Sequence, residues 1–146
     1  MFRFNLEPLL NHRRYQEEIL QKELAGLKVR LVAEKDKLWL LRQKKRKYVQ
    51  QLQEKQTVGR PASEIKLFVD FVDQLTKEME IQKRNVLEAE RNFNLKRQDL
   101  IAAMKKRKTL DRLKEKSLQA YEQEQSKKER NFMDEVASHQ SKSGFK

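Results

Sequence analysis

The side chains in this 146-residue chain best suited to acid–base chemistry are His12, His139 and carboxylates such as Glu17-Glu18, Glu88, Glu90, Glu122 and Glu124. A general acid and a general base must converge on one substrate within hydrogen-bond reach. These residues give no sign of doing so. The histidines stand near opposite ends of the chain, and the carboxylates alternate with lysines at the spacings of solvated helix faces. There is no Gly-rich phosphate loop, no Ser/His/Asp constellation and no cluster of metal-ligand types. Cysteine is absent, which excludes disulfides, a thiolate nucleophile and thiolate metal sites, and fits a reducing compartment such as the cytosol. The chain is expected not to be an enzyme and to carry no cofactor or metal.

Charge offers a different chemistry. The net charge of +12 predicts attraction to an acidic partner, whether nucleic acid, anionic lipid or an acidic protein surface. Two clusters concentrate it: Arg42, Lys44, Lys45, Arg46 and Lys47, and Lys105, Lys106, Arg107 and Lys108. Either could neutralise phosphates. Neither is interleaved with aromatics able to stack on bases, and neither precedes leucine heptads as a zipper's basic region does. A basic nucleic-acid-binding coiled coil therefore stays as an alternative to protein recognition.

These residues need elements to hold them, and the composition points to long helices. Charged residues make up 38% and hydrophobic ones 37%, with three glycines and two prolines in the whole chain. Such a chain can coat a seam but cannot fill a rounded core. The helical pattern breaks convincingly only at Thr57-Val58-Gly59-Arg60-Pro61-Ala62-Ser63-Glu64. Pro61 lacks an amide for the helix, Gly59 tolerates positive φ, and Ser63 could cap the next helix. Read as a turn, this stretch makes two antiparallel helices; the competing reading is a kink in one continuous rod.

Helix one is expected from about residue 5, with Asn5 as its N-cap, to about residue 56. Steps of three and four visit Leu6, Leu10, Arg13, Glu17, Leu20, Leu24, Leu27, Leu31, Glu34, Leu38, Leu41, Lys45, Tyr48 and Leu52, and ten of these fourteen are apolar. Helix two is expected from about residue 64 to 137. The same steps give Ile65, Phe68, Val72, Leu75, Met79, Gln82, Val86, Ala89, Phe93, Lys96, Leu100, Ala103, Arg107 and Leu110, of which eleven are apolar. Folding about residue 60 sets every seam position against another, for example Leu41 against Met79 and Leu10 against Leu110. This favours an intramolecular hairpin over a homodimer that reuses the same seams. The same fold places Arg13 opposite Arg107, and the like charges predict a loose, basic end near the termini.

After Leu110 the heptad lapses, so residues from about Lys116 to Ala137 should form a helical overhang with nothing to pack on. Residues 138–146 should be a disordered tail. The expected fold is thus all-α, a single domain over 1–146 built as a long antiparallel two-helix coiled-coil hairpin, with turn 57–63 and a C-terminal overhang. No apolar run approaches a membrane span, and Met1-Phe2-Arg3-Phe4 leads directly into amphipathic sequence, so attachment to a membrane would be peripheral. Leu67, Val69, Phe71, Trp39 and Leu40 fall outside the seam, and such apolar surplus on a two-helix rod marks a candidate recognition surface.

Four segments resemble the FliJ family of the bacterial flagellar type III export apparatus. They are Phe2-x-Phe4-x-x-x-x-Leu9-Leu10-x-x-Arg13, Ser63-x-x-x-x-Phe68-x-x-Phe71-Val72-x-x-Leu75, Arg107-Lys108-x-Leu110-x-x-Leu113-x-Glu115-Lys116 and Lys128-Glu129-x-x-x-Met133-Asp134-Glu135-x-Ala137. The resemblance implies a non-enzymatic stalk similar to the γ subunit of rotary F-type ATPases. Such a stalk enters the ring of the export ATPase, reaches the export gate protein of the membrane and escorts export chaperones. It implies gate binding by Leu41, Tyr48, Phe71, Leu75 and Gln82, and ring binding by Arg13, Arg14, Lys105, Lys106, Arg107 and Lys108. The implied location is the cytoplasm, peripherally on the inner membrane at the flagellar base. A stalk of a related virulence-type injection system would share this architecture.

Overall fold

The computed structural model describes residues 1–143, among which there is no strand. Helix α1 spans Glu7–Val58 and helix α2 spans Ala62–Ser143. The fold is an all-α helical hairpin whose two long helices pack against each other.

The break between the helices is shorter than expected. Thr57 and Val58 remain helical, and the chain turns over Gly59, Arg60 and Pro61 alone. Gly59 sits at φ +78°, the left-handed conformation in which a Cβ would be strained. The Arg60 amide then donates to the Lys55 carbonyl at 3.1 Å, the six-to-one bond of a glycine-terminated helix. Pro61, fixed near helical φ, starts α2 by accepting from the amides of Glu64 and Ile65 at 3.1 and 3.2 Å. Ser63 consequently lies inside the first turn and is not its cap. At the other end, α1 opens two residues later than expected: the Glu7 amide donates to the Phe4 carbonyl at 3.1 Å, and Asn5 lies in the turn before it.

The chain gathers into two compact units, Ile19–Leu100 and Met1–Glu18 with the chain from Ile101 onward. In the first, Leu31, Leu38, Met79, Val86 and Ala89 form a buried cluster, with Leu41 and Phe93 packed on it. One polar layer interrupts it. Gln82 Nε2 donates to the Glu34 carbonyl at 2.8 Å and to the Glu34 carboxylate at 2.5 Å, while Asn85 donates to Gln82 Oε1 at 3.3 Å. Lys96 pairs with Glu23 at 2.7 Å, and Lys55 with Glu64 at 2.6 Å beside the turn. These partners straddle the fold point read from the seams, which establishes the antiparallel pairing.

In the second unit Leu10 is fully enclosed and Leu110 is buried. Arg107 is not left as an uncompensated charge facing Arg13. Arg107 instead forks onto Glu17, with Nε to Oε2 at 2.6 Å and a terminal nitrogen to Oε1 at 3.2 Å. A long side chain can cover the distance of a helical turn, and a charge-assisted bidentate pair is far better than two facing guanidinium groups. Arg13 turns along its own helix to Gln16 at 3.2 Å.

The unpaired stretch of α2 also begins later than expected. The Phe2 ring meets Tyr121 at 5.6 Å between centroids, so the segment ahead of α1 covers α2 that far. From Glu122 onward every described residue is exposed. The stretch expected as a disordered tail is helical through Ser143, and its last three positions lie outside the described residues. No proline or glycine occurs between Pro61 and Gly144, and Lys142 stands where a cation favours the helix C-terminus.

Candidate interaction surfaces

The five residues marked for gate binding divide sharply when placed on the helices. Gln82 is 7% exposed and Leu75 2%, so both belong to the seam and offer no surface to a partner. Leu41 packs half-buried on the core cluster. Tyr48 is half-buried, with its ring 4.6 Å from Phe71 and 6.1 Å from Phe68. Phe71 alone is exposed, at 37%. Its ring is held by Tyr48 on one side and carries the Lys44 ammonium 5.5 Å from its centroid. Leu67, one turn earlier on α2, is exposed as well. A fixed aromatic with an exposed leucine beside it on the helix suits protein recognition, because little conformational freedom is lost on contact.

The six residues marked for ring binding divide in the same way. Arg107 is committed to Glu17 and also donates to Asp111 at 2.8 Å. Arg14 donates to the other Asp111 oxygen at 3.1 Å. These bonds form one chain, Glu17–Arg107–Asp111–Arg14, in which each carboxylate meets at least one guanidinium. The bond to Glu17, then that to Asp111, raises the Arg107 guanidinium further above its ordinary value. The bond from Arg107, and after it that from Arg14, holds the Asp111 carboxyl below its ordinary 3.8, against the opposing effect of burial. Lys105, Lys106 and Lys108 stand exposed around Arg107, and among the described residues none of them makes an ion pair. Of the six, Lys105, Lys106 and Lys108 thus stand exposed without an ion pair, while Arg107 is committed within the hairpin.

This network was missed in the sequence, although a signal for it exists. Glu17 and Arg107 are both non-apolar seam positions, and charged seam residues on facing helices are most economically explained by each other. His12 and His139 are both exposed, and among the described residues no three metal-ligating side chains are grouped.

Two long helices packed along heptad seams, with exposed cations and aromatics outside the seams, define a helical coiled-coil protein. The family model described as Flagellar FliJ protein matches residues 2–144, and the chain belongs to the FliJ family. No curated protein and no solved structure matches it. Membership carries a flagellar, export-related role, and no helix among the described residues is long and apolar enough to cross a membrane.

Proposed function

We propose that the chain is the non-enzymatic central stalk of the flagellar type III export ATPase complex. In this role it promotes assembly of the ATPase ring, couples the ring to the membrane export gate and escorts export chaperones. It works in the cytoplasm, on the cytoplasmic face of the inner membrane at the flagellar base. The observation that carries the reading is family membership over residues 2–144 in a helix pair that leaves Lys105, Lys106 and Lys108 uncommitted. Acidic loops lining a ring would meet this set, while Arg107 stays with Glu17 and keeps the pair closed. Gate contact falls to Phe71 and Leu67, with Tyr48 bracing the Phe71 ring from the seam side.

The test is ATP hydrolysis by the purified export ATPase with and without this protein, alongside light scattering for ring formation. Stimulation with ring assembly is expected. Replacing Lys105, Lys106 and Lys108 by Glu should reduce the stimulation about tenfold, since facing charges set encounter rates and partner choice. Phe71→Ala should leave stimulation intact and weaken gate binding about tenfold, the effect of losing one aromatic anchor. If wild-type protein neither stimulates nor assembles the ring, the stalk reading fails.

A further inference from the structure

We propose that the outward face of α1 between Lys35 and Lys47 is a docking surface for an anionic lipid bilayer, independent of any ATPase or gate contact. This stretch holds seven cations, Lys35, Lys37, Arg42, Lys44, Lys45, Arg46 and Lys47, and a single acid, Asp36. Lys35 and Lys37 are engaged loosely, with Glu90 at 3.7 Å and Glu34 at 3.8 Å. Among the described residues none of the other five makes an ion pair, although Asp70, Asp73 and Glu78 lie on the facing stretch of α2. Lys44 rests over the Phe71 ring and Lys45 is half-buried, which leaves Arg42, Arg46 and Lys47 as the most open charges.

Two large apolar side chains lie beside these charges. Trp39 is 59% exposed and Leu40 60%, and neither belongs to the seam. Helical spacing puts Trp39, Arg42 and Arg46 on one line of α1, and Leu40, Lys44 and Lys47 on the adjacent line. Each line thus carries an apolar group followed by two cations, with Lys35, Asp36 and Lys37 in the turn before them. This is the composition of a helix lying in the headgroup layer, where an indole sits at the polar boundary and Lys and Arg meet lipid phosphates. The stretch covers about 18 Å of helix, and its cations are close enough together to act as one polybasic segment against a negative leaflet. A nucleic acid would also meet the cations, but it would leave Leu40 without a role and would find one stacking aromatic where a single-strand site uses several. The contact is adsorption: charges on both lines keep the helix at headgroup depth.

Trp39 is the chain's only tryptophan, so its emission reports this surface alone. The full-length protein is titrated with vesicles of phosphatidylcholine, and with vesicles containing about 30% phosphatidylglycerol, a negatively charged surface of the kind polybasic segments bind. A blue shift of Trp39 emission and co-sedimentation with the anionic vesicles only, both reversed by salt, are expected. Arg42→Glu with Arg46→Glu should weaken binding at least about tenfold at unchanged helicity, because each cation near the surface contributes separately. Lys127→Glu with Lys128→Glu makes the same change in net charge on exposed α2 and should alter binding by less than about twofold. Absence of the blue shift, equal loss in both double variants, or tighter binding to a single-stranded oligonucleotide at matched salt would overturn the proposal.

Discussion

The two units of this hairpin close the same kind of seam by different means. Around Leu31, Leu38, Met79, Val86 and Ala89 the contact is apolar, with a single amide layer at Gln82 that is hydrogen-bonded to Glu34. Between Leu10 and Leu110 it depends on ions, with Glu17, Arg107, Asp111 and Arg14 linked in series. Apolar burial does not depend on protonation, responds to salt only through the solvent, and is indifferent to which partner supplies the surface. An ionic layer is conditional: it holds while both partners are charged, and it punishes the loss of either one. Closure of the unit carrying the uncommitted lysines therefore depends on a linked series of charges, whereas interhelix pairs of the other unit such as Glu23 with Lys96 and Lys55 with Glu64 stand singly in a seam closed by an apolar cluster.

The largest effect should come from the apolar unit. Leu75→Ala empties a site that is 2% exposed and should cost about 2–5 kcal/mol in chemical denaturation, the usual range for a buried leucine. A loss below that range would mean that the seam there can collapse, and the contrast between the units would weaken.

Next comes the ionic layer. Glu17→Ala leaves the Arg107 guanidinium with Asp111 alone and should cost about 1–3 kcal/mol, less than a fully buried pair because Arg107 keeps some contact with water. Glu17→Met combined with Arg107→Leu should recover most of that loss, since replacing both partners removes the charge that either single change strands. If the double variant is no more stable than Glu17→Ala, the layer is held by packing, and the distinction between the units fails.

The smallest effect is a pH dependence. The folded state holds the Asp111 carboxyl below its ordinary 3.8, so Asp111 stabilises fully above that value and its contribution disappears as pH falls through the lowered one. Asp111→Asn should therefore be less stable than the wild type near neutrality, and the gap should close in acid. Urea midpoints measured across that range check this, and a gap constant with pH would remove Asp111 from the network.

Much of this organisation was legible in residue types. Of the twenty-eight seam positions, only Leu6 is exposed in the structure. A heptad seam needs no tertiary knowledge, because helical periodicity and the hydrophobic effect together say which face must be covered. The surplus apolar residues were legible for the same reason: Trp39, Leu40, Leu67 and Phe71 all stand exposed. The gate-binding set implied by the resemblance is divided by burial: Leu75 and Gln82 are seam positions by their spacing, and both are buried.

The sequence by itself determined the helices, the break at Gly59 and Pro61, and the phase of both seams, because backbone geometry and periodicity are local properties. Tertiary structure alone decided which charged groups remained available. Arg107 and Lys108 are neighbours in one basic run, yet one is tied to Glu17 and the other is exposed. That choice depends on what the facing helix brings within reach of a long side chain, and spacing along one helix does not contain it.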